Sequence, residues 1–280
     1  MIGVVTDSTC DLPKALIDRY GIRVVPAYIN VDGKSLRDEV DLSRTQFYSN
    51  LMTYPEHPTT AAGPPAQFAA VYQELTEGGA TEIISIHVSA KLSGIINSAQ
   101  AGAKMGDFSP VTVIDSLQLS MGIGFQVLAA ARAARNDASM EEIIQILDQF
   151  RPRIRTIAML DTLDAVQRSG RVSWLQMQVG NLLRLKQIVE VREGDVLPVA
   201  RVRTRKSALL KFEEIVAELG DIKQFAFMNT NNSIEVMAQF EVLFGEIIEN
   251  TEIFRTVASP AIGVHIGLKA IGVAFVLGKD

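Results

Sequence analysis

Small polar residues stand at the ends of three short apolar runs. Asp7-Ser8-Thr9 closes residues 2–6, Ser89, Ser93 and Gly94 follow residues 83–88, and Asp115-Ser116 closes residues 111–115, with Ser120 and Gly122 soon after. In an open α/β sheet, ligands sit beyond the carboxyl ends of the strands. Helix N-termini at that edge present free N–H groups that favour an anion. Hydroxyls and backbone donors together suit a carboxylate or phosphate and require no metal. Taken singly, each residue is an ordinary helix cap, but three such strand ends together point to a pocket. The loop 58–65, Pro-Thr-Thr-Ala-Ala-Gly-Pro-Pro, is either a plain connector with Pro65 at the helix start or a rigid loop that offers the Thr60 hydroxyl. Of His57, His87 and His265, His87 reads as core or strand end. His265 has the suggestive setting, since Gly263 and Gly267 permit close backbone approach. Basic residues cluster at Arg168 and Arg171 and again at Arg201, Arg203, Arg205 and Lys206. Such clusters are either solvated faces or surfaces for an acidic partner or nucleotide.

Much common chemistry is absent. There is no P-loop, no H-E-x-x-H, no paired cysteines and no G-x-S-x-G elbow. Gly122-Ile123-Gly124 lacks the third glycine of a dinucleotide fingerprint and sits in an apolar helical stretch. The single Cys10 among 280 residues excludes a disulfide framework and a cysteine-built metal site. A net charge of −5 argues against a general nucleic-acid binder, and a hydrophobic fraction of 48% supplies a core and excludes disorder as the main state. The N-terminus lacks signal-peptide features, and the best apolar stretch, residues 123–134, is broken by Gln126 and Arg132. The expectation is a soluble cytoplasmic protein.

The elements that must position these residues alternate through the first half. Strands fit residues 2–6, 22–31, 82–88 and 111–115. Helices fit 12–20, with Asp11 as N-cap and Pro13 in the first turn, then 43–52, 65–77, 93–105, 117–135 and 139–150. Buried runs alternating with amphipathic helices predict a parallel sheet covered on both faces. The second half offers strands at 156–160, 187–191, 196–202, 224–228 and 270–277, with a hairpin turn at Glu193-Gly194-Asp195. A mixed or antiparallel sheet with helices on it is expected there. The domain boundary falls near residue 150, which gives an N-terminal domain over 1–150 and a C-terminal domain over 151–280.

Ordered motifs along the whole chain carry a resemblance. Val4-Val5-Thr6-Asp7-Ser8-Thr9-Cys10-Asp11-Leu12-Pro13 contains a strand followed by a D-S-x-x-D-L-P turn. It is followed by Gly21-Ile22-Arg23-Val24-Val25-Pro26, Ser89-Ala90-Lys91-Leu92-Ser93-Gly94, Val113-Ile114-Asp115-Ser116 and Ser120-Met121-Gly122. Ser169-Gly170-Arg171-Val172-Ser173 and Gly263-Val264-His265-Ile266-Gly267 complete the set. In order and spacing the chain resembles the DegV family of bacterial fatty-acid-binding proteins.

That resemblance implies a two-domain DegV-like (EDD) α/β fold holding one long-chain fatty acid, such as palmitate, between the domains. The carboxylate lies deep and the tail enters the C-terminal domain. Thr60 and Ser93 would hydrogen-bond the carboxylate beside the Gly94 amide, with His265 and Arg171 near the head group. The family member is a carrier, without cofactor. It presents its ligand to a separate fatty acid kinase, which resembles dihydroxyacetone kinases and makes acyl phosphate for phospholipid synthesis; transient membrane contact is compatible with this. The chain departs from the family loop T-T-S-Q-P at Ala61, Ala62 and Gly63. It also departs from G-T-H-T-G-P-G at Val264, Ile266, Leu268 and Lys269. Both departures remove polar groups near the head group.

Apolar side chains in the second half fit a lipid tail independently: Ile154, Ile157, Met159, Leu160, Leu163 and Val166, continued by Leu175, Met177, Val179, Leu182 and Leu183. At about 0.8 kcal/mol per CH₂, roughly sixteen carbons contribute on the order of 10 kcal/mol before ordering costs. An acyl hydrolase using Ser93, His265 and Asp7 is the alternative, although Lys91 and Ile95 stand where a nucleophile elbow has glycines. Arg201, Arg203 and Arg205 would share one face if the strand at 196–202 persists that far, and are expected to dock the kinase.

Overall fold

The computed structural model describes residues 1–171, 185–218, 220–230, 238–239, 242–245 and 251–278. The first half is built on a four-stranded parallel sheet in the order β2-β1-β6-β7, from β1 (Ile2–Asp7), β2 (Arg23–Val25), β6 (Glu82–His87) and β7 (Val111–Asp115). Its strands are short, nearly continuous apolar runs, as burial on both faces requires. Helices α3 (Pro65–Glu77), α4 (Ile95–Gly102) and α5 (Met121–Arg135) cover it. Helix α6 (Met140–Phe150) packs on α5 and starts at a capping box, Ser139 with Glu142.

The second half is a six-stranded mixed sheet in the order β10-β9-β8-β13-β11-β12. Its strands are β8 (Ile154–Leu160), β9 (Lys186–Arg192), β10 (Asp195–Val202), β11 (Ile222–Asn229), β12 (Glu252–Val257) and β13 (Ile271–Leu277). All neighbours pair antiparallel except β11 and β12. Glu193 and Gly194 both have positive φ, 50° and 82°, in the β9–β10 hairpin turn. The two faces of this sheet have different fates. Ile157 and Met159 join Phe212, Phe225, Phe227 and Phe275 in a core that includes residues of α8 (Arg205–Ala217). Ile154, Leu160, Val189 and Val191 belong to a core continuous with the first half, from Val4 and Val5 through Phe125 to Val264. Among the described residues, no helix is long and apolar enough to cross a membrane.

Several local expectations need correction. Residues 22–31 are not one strand. β2 ends at Val25, and β3 (Tyr28–Val31) pairs in a separate three-stranded sheet with β4 (Lys34–Arg37) and β5 (Thr59–Ala61). Pro26 has no N–H to continue the ladder, so the chain leaves the parallel sheet there. The segment carrying Thr60 is therefore the strand β5 and not a loop. Asp11 does not cap α1 (Lys14–Tyr20): Pro13 holds the N-cap position, while Asp11 turns left-handed at φ 53° and is fully buried. α5 begins at Met121 and not near 117, because Leu117 and Ser120 have φ of 53° and 55°, outside the helical region. The expected apolar residues Leu175, Met177, Val179, Leu182 and Leu183, with Val172 and Ser173, lie outside the described residues.

A chamber between the two sheets

β1 connects to β2 on one side, while β6 lies on its other side, so a crevice opens at the carboxyl ends of β1 and β6. After β6 the chain turns at Ser89, whose carbonyl accepts the N–H groups of Leu92 and Ser93. Gly94 is the N-cap of α4, and Ser93 Oγ accepts the Ile95 N–H at 3.3 Å. Ser93 thus places its hydroxyl at the positive end of a helix. From the opposite side comes α9 (Pro260–Ile266), which carries His265 in its last turn and ends at Gly267, φ 70°.

α9 is pinned to the first half by groups far apart in sequence. Asp11 accepts the Ser259 N–H at 2.8 Å and the Ser120 hydroxyl at 2.5 Å. Burial pushes the Asp11 carboxyl up to about 6, against the pull of nearby Arg44. Tyr48 donates to the Ala258 carbonyl at 2.9 Å, and Arg44 binds Thr256 Oγ1 and the Val257 carbonyl. Gly263 is obligatory for this seat, since a Cβ there would stand 2.6 Å from Tyr48 Oη.

β5 presents Thr60 Oγ1 at 2.9 Å from His265 Nε2, and His57 Nε2 lies 2.9 Å from the Val264 carbonyl. Burial, with the charges of Arg171 and His57, lowers the His265 pKa to about 3, so its ring is neutral at pH 7. Arg171 follows the positive-φ Gly170 after α7 (Asp164–Arg168), its N–H held by the Val166 carbonyl.

Two cavities meet at His265. The first, about 110 Å³, is lined by Thr9, Thr60, Ser93, Gly94, Arg171 and His265 with apolar neighbours such as Val88 and Leu92. All five residues singled out for the head group, Thr60, Ser93, Gly94, Arg171 and His265, therefore surround one chamber. Ala61 and Ala62 line it as well, so methyl groups occupy the positions of the departed polar side chains. The second cavity, about 80 Å³, is almost wholly apolar. It lies on the six-stranded sheet over Ala158, Leu160, Val189, Val191, Val196 and Met228. Leu119, Ile262, His265 and Ile266 line both, so the two cavities adjoin across these residues as a polar and an apolar arm. Of the apolar residues singled out in the sequence, Leu160 and Val166 line it, whereas Ile157 and Met159 point to the opposite face of the sheet.

The hydrolase arrangement does not form. Asp7 does not orient His265: its Oδ2 lies 3.0 Å from His87 Nδ1, and His87 Nε2 lies 2.6 Å from Ser85 Oγ, which meets Tyr72 at 2.9 Å. This chain is fully buried. Burial pushes the Asp7 carboxyl up, but hydrogen bonds from His87, Thr9 and Val88 and the His87 charge outweigh it and leave Asp7 below its usual range.

The premise of one arginine face also fails. β10 ends at Val202, so the period of two does not reach Arg203 or Arg205. Arg205 is the first residue of α8, donates to the Lys269 carbonyl at 3.1 Å and lies 3.8 Å from Asp161. Arg201 and Arg203 remain exposed.

Thr9, one of the polar strand-end residues marked in the sequence, stands in the chamber wall, whereas sequence reasoning missed Leu119 in that wall and Asp11 with Ser259 behind it. Asp11 lay in view inside the D-S-x-x-D-L-P turn, but its partner is 248 positions away.

The comparisons agree with this architecture. The family model described as "Uncharacterised protein, DegV family" matches residues 1–277. A DegV domain-containing protein of Caldanaerobacter subterraneus is 36% identical over 277 residues, 98% of each chain. Protein DegV of Bacillus subtilis is 32% identical over 278 residues, again 98% of each. The crystal structure of DegV, a fatty acid binding protein from Bacillus subtilis, superposes with a TM-score of 0.89 at 30% identity, covering 99% of both chains. A fatty-acid-binding DegV family protein from Thermus thermophilus gives 0.86 at 32% identity, also over 99% of both. By sequence along nearly its whole length and by fold, the chain belongs to the DegV family.

Proposed function

We propose that the protein binds one long-chain fatty acid, such as palmitate, and presents its carboxylate to a separate, dihydroxyacetone-kinase-like fatty acid kinase. The observation that carries this reading is the pair of adjoining cavities, with hydroxyls and a helix N-terminus in one arm and apolar side chains in the other, His265 standing in the walls of both. In this reading the carboxylate accepts from Thr60, Ser93 and the Gly94 amide, with the Arg171 charge beside it. These partners offset its desolvation without a metal. The tail lies on the sheet of the second half. The fatty-acid binding of the Bacillus and Thermus proteins supports the ligand class. The kinase and the cytoplasmic setting follow from family resemblance, as does the division into domains 1–150 and 151–280. The chain itself performs no chemistry on the lipid, and acyl-phosphate formation belongs to the partner, docked in part through the exposed Arg201 and Arg203.

Denaturing extraction of the purified protein followed by mass spectrometry tests the reading. A co-purifying fatty acid near one per chain is expected. Steady turnover of acyl esters, or acyl-phosphate formed from ATP by the protein alone, rejects it.

A further inference from the structure

The turn that carries Ser93 and Gly94 is held from the other half of the chain. Ser89 opens this turn; it is fully buried and lines neither arm. Each of its polar groups fixes the turn. Its N–H donates to the Gln118 carbonyl at 3.1 Å, and its own carbonyl accepts the N–H groups of Leu92 at 2.9 Å and Ser93 at 3.1 Å. Its hydroxyl accepts the Lys91 N–H at 3.2 Å and donates to the Gly194 carbonyl at 3.4 Å. Gly194 stands at the tip of the β9–β10 hairpin, and its N–H donates to the Leu117 carbonyl at 2.9 Å. The approach is close enough that a Cβ on Gly194 would lie 2.4 Å from Ser89 Oγ. On the outside, Lys91 Nζ meets Asp195 Oδ2 at 2.7 Å. The two strands that meet at this tip carry Val189, Val191 and Val196, which line the apolar arm. One hairpin thus forms a wall of the apolar arm and clamps the turn that presents the donors of the polar arm.

We infer that Ser89 is a positioning residue for carboxylate binding: clamped by the β9–β10 hairpin, it holds the Ser93 hydroxyl and the Gly94 amide where the head group of a tail-seated acid lies. Hydrogen bonds weaken steeply away from their best distance and angle, so a donor serves a carboxylate only if the groups behind it hold it in place. The hairpin supplies that support from the same strands the tail rests on, which binds tail and head group to one rigid unit. This inference rests on the fatty-acid reading of the two arms and adds to it a residue that touches no ligand.

The test is titration of the full chain, delipidated, with palmitic acid and with hexadecan-1-ol, whose uncharged head keeps the tail but forfeits the charge-assisted bonds. In Ser89→Ala, palmitic acid is expected to bind roughly tenfold more weakly, the lower bound for losing one such bond, while the affinity for hexadecan-1-ol changes by less than about twofold. Added to Ser93→Ala, the substitution is expected to cost palmitic acid no further affinity, because its effect passes through that hydroxyl. A purely structural role for Ser89 weakens both ligands by the same factor and adds its cost to that of Ser93→Ala. Either result overturns the inference, as does an unchanged affinity for palmitic acid. If circular dichroism shows that Ser89→Ala does not fold, Lys91→Ala at the exposed bridge is read by the same acid-to-alcohol ratio, and an unchanged ratio overturns the inference. Wild-type protein that binds neither ligand overturns the fatty-acid reading and the inference with it.

Discussion

Replacing Thr60 by Val removes one hydroxyl while keeping the branched shape, and its effect follows from the geometry at His265. The ring is neutral at pH 7, since its pKa is lowered to about 3. Thr60 Oγ1 and His265 Nε2 are 2.9 Å apart. In the tautomer with the proton on Nε2, the histidine donates to Thr60, and the threonine proton is free for a carboxylate oxygen. A hydrogen bond to a charged group contributes about 1.5–3 kcal/mol. Thr60→Val is therefore expected to raise the Kd for palmitic acid by between about tenfold and about 150-fold. The neutral bond to His265 disappears as well, which costs about 1 kcal/mol of stability. For a chain of this size that is a drop of roughly 2–4 °C in Tm. Displacement of a fluorescent fatty acid at neutral pH reads the affinity, and circular dichroism reads the fold. A variant with native dichroism and an affinity equal to wild type would refute the placement of the carboxylate in this chamber.

Other expectations follow from the same contacts. Ser93→Ala should weaken palmitic-acid retention by a comparable factor without unfolding, because the Ser93 hydroxyl lines the polar arm and its one described backbone bond is long, at 3.3 Å. Gly263→Ala drives a Cβ to 2.8 Å from Phe47 and 2.6 Å from Tyr48. It should cost about 1–3 kcal/mol in urea denaturation and loosen lipid binding by displacing α9; an unchanged midpoint contradicts the packing described. Asp38, desolvated by burial, has its pKa raised from 3.8 to about 8. A raised acid binds more protons folded than unfolded, so its stabilisation is full below about pH 4 and is lost as pH rises through 8. Asp38→Asn keeps an acceptor for the Ser8 hydroxyl and should flatten the pH profile of stability across that window, leaving the smaller slope of Asp11; an unaltered profile assigns it elsewhere. Arg203→Glu is expected to keep lipid binding but lower acyl-phosphate production with the partner kinase, more steeply at low salt. Undiminished coupling would make Arg203 an ordinary solvated residue.

Elements whose pattern is local are legible in the chain. Buried runs such as residues 82–87, the helix over 139–150 and the Glu193-Gly194 hairpin turn are written in neighbouring residues, and the structure contains them nearly where the local pattern placed them. The motif order also marked the residues around the chamber. The features that packing settles are non-local. Pro26 divides one apolar run between two sheets, and Thr60 becomes a strand residue only because β3 lies beside it. Asp7 goes to His87 and not to His265, a choice made by the pairing of β1 with β6. The alternation of β8 sends Leu160 to the chamber and Met159 away from it, and this became legible only once the packing of each face was known. Thr60 and His265 are 205 positions apart, and their contact depends on α9 being held by Asp11, Arg44 and Tyr48. Propensity and periodicity act over a few residues, whereas a binding chamber is the space left where distant surfaces fail to close, which no local pattern specifies.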